Sequence, residues 1–209
     1  MVYEQLISEI EKLKATGLKN KVEERILEFK NTGKSCCDRI YEELCYCILT
    51  ANFNAERAIK IHERICECFL NMREGELERV LRDNGYRFPF RAKYIVNARK
   101  YREKIKELVD NNIGESEFRE WLKNNIKGLG YKEASHFMRN IGYSNIAIID
   151  SHILELLEKH RLVNKPKTLT KRKYLEIEGT LREIAEQNNL SLAELDLYLW
   201  YIETGKILK

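Results

Sequence analysis

Two residues of complementary chemistry, Lys132 and Asp150, stand on either side of a buried-looking apolar run, and each sits where a helix should begin. Upstream of the lysine, a helix carrying Phe118, Trp121, Leu122 and Ile126 runs into Gly128-Leu129-Gly130 and straight out into a second helix. Two glycines flanking one apolar residue let the backbone turn sharply and bring its amides to the surface, while Leu129 anchors the turn between the helices. Amides exposed at a helix N-terminus favour an anion, and DNA is a polyanion with suitable phosphate spacing. The same glycines would also serve a tight helix–helix turn on steric grounds alone. Lys132 falls in the first turn of the outgoing helix, at the positive end of its dipole, where a neutral amine able to attack an electrophile is favoured. Its plainer roles are a surface lysine or a phosphate contact. Asp150 follows Ile148-Ile149 and precedes Ser151-His152-Ile153, so it is either an ordinary N-cap or a carboxylate held at a helix start for chemistry.

Helices must position these groups, because apolar residues recur at spacings of three and four almost throughout. Leu6, Ile10 and Leu13 mark a first helix ended by Gly17, and Val22, Ile26, Leu27 and Phe29 a second closed by Gly33. Ser35 is the expected cap of a third helix through Ile40, Leu44 and Ile48, and Asn54 that of a fourth through Ala58, Ile61, Ile65 and Phe69. Further helices are expected over about 72–84, 89–110, 115–126, 131–141, 150–160, 170–188 and 191–204, with Pro89 in a first turn. The fold class is therefore all-α, with ten or eleven helices in two packed subdomains. Ile146–Ile149 is too short to build a sheet and is expected to pack in the core. Lys165-Pro166 marks the expected boundary, because the residue before proline is pushed out of helix. That boundary divides a single domain, 1–209, into about 1–60 plus 165–209 and about 61–164, the latter holding the hairpin at 126–132.

The 209 residues are 44% hydrophobic and 33% charged, with 10 Gly and 2 Pro, which excludes collagen-like, low-complexity and largely disordered chains. No window approaches about 18 uninterrupted apolar residues, and the N-terminus is amphipathic and acidic, so a cytoplasmic, non-membrane protein is expected. The formal net charge is only +4, but two stretches concentrate cations. Between Tyr86 and Lys106 eight cations face the single acid Glu103, and Arg161–Leu175 holds six cations and no acid. Such clusters either neutralise phosphates or form solvated helix faces. The six cysteines all lie at or before Cys68 and form no CxxC, which reads as reduced, mostly buried small hydrophobes.

GLGYKEASHF followed by IIDSHI resembles the helix-hairpin-helix and Gly/Pro…Asp motif of the DNA glycosylases that include endonuclease III and the 8-oxoguanine glycosylases. ELCYCILTANFNAERA, GYRFPFRAKYIVNARKY and ELDLYLWYIETGKILK extend the resemblance over most of the chain to the compact archaeal-type second family of 8-oxoguanine DNA glycosylase/AP lyases. The resemblance implies that Lys132 is the catalytic lysine of a bifunctional enzyme and Asp150 the aspartate that assists it. Base removal and β-elimination through a lysine Schiff base would follow, on double-stranded DNA containing 8-oxoguanine, by a monomer. No cysteine lies beyond Cys68, so the iron–sulfur cluster of endonuclease III is not expected. No cofactor is required, although hairpins of this class can hold a monovalent cation on backbone carbonyls. No side-chain metal ligand is expected.

The resemblance also places Phe88, between Arg87 and Arg91, at the position that inserts an aromatic into the duplex beside the orphaned base. From spacing alone Phe88 could equally be a hydrophobic staple, and Phe90 could share its role. Trp200 is either core or a platform for a purine, and the resemblance puts it against the extruded base. Lys209, the terminal residue, is implied to reach the base pocket, with Asp196 one turn before Trp200 as a further contact. Asn52, in the polar patch of Thr50, Asn52 and Asn54, is implied to lie at the lesion strand. His136 and His152 read as structural or phosphate-directed. Two rival readings stand beside this one: a pyrimidine-lesion glycosylase of the endonuclease III type, and a non-catalytic helix-hairpin-helix DNA-binding module.

Overall fold

A computed structural model describes Tyr3–Lys209, and among these residues the regular structure is helical, with no strand. The α-helices are α1 (Glu4–Lys14), α2 (Leu18–Gly33), α3 (Cys37–Thr50), α4 (Ala55–Ile65), α5 (Cys68–Asn71), α6 (Glu74–Asp83), α7 (Ala92–Ala98), α8 (Arg102–Asp110), α9 (Glu115–Asn125), α10 (Tyr131–Asn140), α11 (Ser151–Lys159), α12 (Lys171–Gln187) and α13 (Leu192–Thr204). No helix among the described residues is long and apolar enough to cross a membrane.

The chain forms two compact units, one of residues 1–30 and 142–209 and the other of residues 31–141. Each is built around one helix that is buried along most of its length. In the discontinuous unit that helix is α13, buried from Leu192 to Leu199 except at Glu194 and packed by α1, α11 and α12. In the contiguous unit it is α3, which buries Ile40, Tyr41 and every residue from Glu43 to Thr50 under α10, α8, α4, α5 and α7. The division falls in the last turn of α2 and after α10, not near residues 60 and 165. Pro166 interrupts the chain between α11 and α12, but both of these helices pack in the same unit. Proline reports a helix end, and only packing decides a unit boundary.

Several ends follow from local chemistry. Asn54 caps α4 by accepting the Arg57 N–H at 3.0 Å. Ser191 and Glu194 form a reciprocal capping box on α13, and Gly205, at φ 71°, closes it in the left-handed conformation. Ser35 does not cap α3: its hydroxyl turns back to the Asn31 carbonyl at 3.0 Å, and Cys36 occupies the cap position. The expected long helix over 89–110 is broken into a 3-10 turn at Pro89–Arg91, α7, a second 3-10 turn at Arg99–Tyr101, and α8.

All six cysteines are free thiols, but only Cys45 and Cys47 are buried. Cys36 is exposed and the other three are partly exposed, so the expectation of mostly buried thiols holds for the α3 pair alone.

Candidate active site

In the contiguous unit the hairpin joins α9 to α10 as expected. Gly128 takes φ 98°, and a Cβ there would stand 2.7 Å from Cδ2 of Tyr94, so both the torsion and the space demand glycine. Leu129 is buried and anchors the turn. Gly130 caps α10, and its N–H donates to Oε2 of Glu133 at 3.2 Å. Lys132, in the first turn, places Nζ 3.0 Å from the other oxygen, Oε1, of the same carboxylate. Its side chain keeps 25% of its surface open.

An aromatic ladder brings the other predicted DNA-facing residues of this unit together. Ring centroids run from Phe53 to Tyr86 at 4.8 Å, Tyr86 to Phe88 at 6.2 Å, Phe88 to Phe90 at 6.2 Å and Phe90 to Tyr94 at 5.9 Å. Tyr94 then meets Gly128, and the Lys127 amine lies over its ring. Asn52 begins the ladder from an exposed left-handed position, φ 50°, next to Phe53. Phe88 is half-buried between the guanidinium groups of Arg87, at 5.3 Å, and Arg91, at 4.8 Å. Phe90 is the more open ring, 52% exposed.

Arg87 is exposed and faces solvent as the basic run suggests. Arg91 differs from that expectation. It is buried, and Nη1 donates to the carbonyls of Ile48 and Ala51 at 3.0 and 2.5 Å and to the Tyr86 hydroxyl at 2.9 Å. A cation at a helix C-terminus satisfies orphan carbonyls and opposes the dipole, so Arg91 closes α3 and shapes the site from behind. Burial pushes the Tyr86 phenol up to about 12, the nearby Arg91 charge opposing that shift.

In the discontinuous unit, Asp150 is the N-cap of α11, with Oδ1 accepting the Ile153 N–H at 2.9 Å. Capping and chemistry need not compete, since the bond fixes where the carboxylate stands. Ile146–Ile149 is buried, as expected of a core-packing run, and has no strand partner. Trp200 is partly exposed, with His152 packed edge-on at 5.2 Å, and its indole N–H is buried without a partner in the protein. Asp196 is buried on α13 and lines a small cavity of about 10 Å³ with Ala147, Ile148, Ile153 and Leu195. Lys209 is partly exposed beyond the left-handed turn at Gly205. Among the described residues no three His, Cys, Asp or Glu side chains gather to hold a metal.

Sequence reasoning missed Glu133 and Tyr94. Glu133 was legible in principle, as an acid three residues after a helix cap. Tyr94 had no signal, because contact with a glycine leaves none in spacing.

A helical fold with a lysine-bearing Gly-x-Gly hairpin and an aspartate capping a following helix defines a helix-hairpin-helix DNA glycosylase. The chain belongs to the 8-oxoguanine DNA glycosylase family, whose model matches residues 22–190. It is 52% identical to an 8-oxoguanine DNA glycosylase/AP lyase of Methanocaldococcus jannaschii over 98% of this chain and 99% of that protein. A relative of the same description from Korarchaeum cryptofilum is 44% identical over the full length of both. Among solved structures, the M. jannaschii glycosylase/lyase in complex with 15mer DNA containing 8-oxoguanine aligns with a TM-score of 0.95 at 50% identity, covering 98% of this chain and all of that one. The 8-oxoguanine DNA glycosylase of Thermotoga maritima aligns at 0.93 with 41% identity over 99% of each chain.

Proposed function

We propose that this chain excises 8-oxoguanine from double-stranded DNA and nicks the resulting site, with Lys132 as nucleophile and Asp150 as its carboxylate partner. The observation that carries the reading is the partly open Lys132 side chain at the exit of the Gly128–Gly130 hairpin, within a chain matched end to end by glycosylase/lyases. The neutral amine attacks the anomeric carbon of the extruded nucleotide, and the bond from that carbon to the base breaks as the base takes up a proton. The Asp150 carboxylate stabilises positive charge developing on the sugar and relays the proton released by the amine. The ring-opened sugar and Lys132 form an imine. Loss of a proton from the adjacent carbon expels the 3′ phosphate by β-elimination, and water hydrolyses the imine to free the lysine.

In the same reading Phe88 enters the duplex, with Arg87 and Asn52 beside it, and the amides around Gly128 and Gly130 take the phosphates. Trp200 supplies a face for the purine. Lys209 and Asp196 contact the base edge, where 8-oxoguanine carries a proton at N7 that guanine lacks. A buried acceptor left unmatched by guanine gives the discrimination. No cofactor takes part. Neutral carbonyl oxygens around the tight turn at Gly128 suit a monovalent cation, which would supply charge toward a phosphate and no covalent step. The whole chain is taken to work as one glycosylase domain, as a monomer in the cytoplasm, with light scattering of the free protein as the check on its mass.

Borohydride trapping tests the reading. Wild type incubated with an 8-oxoguanine duplex should give a covalent protein–DNA adduct that Lys132→Gln does not. An adduct with an abasic site but not with 8-oxoguanine would leave the lyase and overturn the base assignment. Deletion of Lys209 should then reduce preference for 8-oxoguanine over guanine; a pyrimidine-lesion enzyme would be indifferent to it. No adduct with either substrate would favour a DNA-binding module.

A further inference from the structure

We propose that Tyr174 and Glu178, one turn apart on α12, are positioning residues for Asp150, acting through the backbone of Ala147–Ile149. The inference rests on the role of Asp150 given above. Ile146–Ile149 runs through the core without a strand beside it, so its amides and carbonyls have neither ladder nor water to satisfy them. Two α12 side chains take that place. The Tyr174 hydroxyl donates to the Ala147 carbonyl at 2.7 Å and accepts the Ile149 N–H at 3.3 Å. Oε2 of Glu178 accepts the Ala147 N–H at 2.9 Å. Residues spaced by four share a helix face, so one face of α12 grips both ends of a three-residue segment.

Asp150 is the next residue, extended at φ −109° and ψ −171°, with its carboxylate tied to Ile153 N–H. The carboxylate is thus fixed from both sides, by the start of α11 ahead and by the α12 side chains behind. Tyr174 is 2% exposed and Glu178 6%, so neither reaches a substrate, and their hydrogen bonds to Ala147 and Ile149 lead to the reaction through the segment they hold. A displacement of about 1 Å at a reacting group can cost about a hundredfold in rate, which makes such bracing worth more to the chemistry than to the fold.

The test compares Tyr174→Phe, Glu178→Gln, Asp150→Asn and the Tyr174→Phe/Asp150→Asn double variant in the full chain. The readouts are single-turnover excision from an 8-oxoguanine duplex, affinity for a duplex with a tetrahydrofuran abasic analogue, and exchange of the Ala147 and Ile149 amides. Asparagine is itself a good N-cap, so Asp150→Asn removes the charge and keeps the helix start. Tyr174→Phe keeps the ring and removes the hydroxyl. It should slow excision by about 10–100-fold with affinity unchanged, and the Ile149 amide should exchange faster. A fifth variant, Glu178→Ala, leaves the Ala147 N–H without its acceptor and should slow excision by about 10–100-fold with affinity unchanged. Glu178→Gln, whose amide oxygen still accepts that N–H, should restore most of the rate. Wild-type excision by Glu178→Ala would remove Glu178 from the positioning role. The double variant should be no slower than Asp150→Asn, because two residues acting through one carboxylate are not additive. Wild-type excision by Tyr174→Phe, or losses that multiply with those of Asp150→Asn, would overturn the positioning role while leaving the site reading intact. Wild-type excision by Asp150→Asn itself would overturn the site reading, and the positioning role with it.

Discussion

Glu133 holds a carboxylate oxygen 3.0 Å from the amine of Lys132. Its other oxygen receives the Gly130 N–H, so one side chain both caps α10 and tethers the residue proposed as nucleophile. Glu133→Gln keeps an acceptor for the Gly130 amide, whereas Glu133→Ala keeps none. The alanine variant should lose about 1 kcal/mol in urea unfolding and the glutamine variant less than about 0.5 kcal/mol, since a partly open ion pair contributes little.

The two hairpin glycines should differ sharply in tolerance. Gly128→Ala meets both a positive φ and the Tyr94 ring at 2.7 Å, while an alanine at Gly130 would have only the Glu133 carboxylate within 4 Å, at 3.2 Å. Gly128→Ala should cost about 1–2 kcal/mol from the torsion alone, with further loss from the clash, and should weaken duplex binding. Gly130→Ala should melt close to wild type. Thermal melting and fluorescence anisotropy with labelled duplex check both.

The basic run from Tyr86 to Lys106 offers fewer charges to DNA than its composition suggests. Arg91 and Arg99 are bound to carbonyls, Arg102 to Asp38 and Glu103, Lys104 to Glu107 and Lys106 to Asp110. Arg87, Lys93 and Lys100 have no such partner among the described residues. If each meets a phosphate, Arg87→Gln should reduce the slope of log affinity against log salt by about 0.9, and Arg99→Gln should lower the melting temperature with the slope unchanged. Binding titrations from low to moderate salt give both slopes.

Alkaline stability should report on the Tyr86–Arg91 cluster. Burial raises the Tyr86 phenol from 10.0 to about 12, so the folded state holds that proton more tightly than the unfolded chain. The stabilisation is complete below pH about 10, is lost as pH rises toward about 12, and amounts to about 2–3 kcal/mol. Tyr86→Phe should flatten this part of the stability curve in urea titrations taken at stepped pH.

How much of this was legible in sequence depends on whether the decisive partner was local. The Asn54 cap, the hairpin glycines, and the positions of Lys132 and Asp150 at helix starts depend on neighbours within a turn, and periodicity exposes them. The buried course of Ile146–Ile149 was legible for the same reason. The single helix expected over 89–110 failed because its breaks have distant causes. Arg99, within the second 3-10 turn, reaches the carbonyls of Phe69 and Met72, and Arg91 reaches the end of α3. A cation in a basic run looks solvated until its carbonyl partners, dozens of residues away, are known. Tyr174 and Glu178 stand four apart within the helix expected over 170–188, and nothing in the spacing distinguishes a side chain packing on a neighbour from one holding its backbone.

Gly33 and Ile141 lie against each other near the two ends of the contiguous unit, so close that a Cβ on Gly33 would stand 2.1 Å from the Ile141 carbonyl oxygen. Every contact internal to residues 31–141 is available once Ile141 has left the ribosome. The other unit has the opposite history: α1 buries Leu6 and Ile10, and the helix at the centre of that unit, α13, is synthesised after every other described helix. The order of birth is therefore middle first and ends last. Until α13 emerges α1 lacks the central helix it packs against, so chains stalled before Leu192 should hold a folded middle and a protease-sensitive N-terminus.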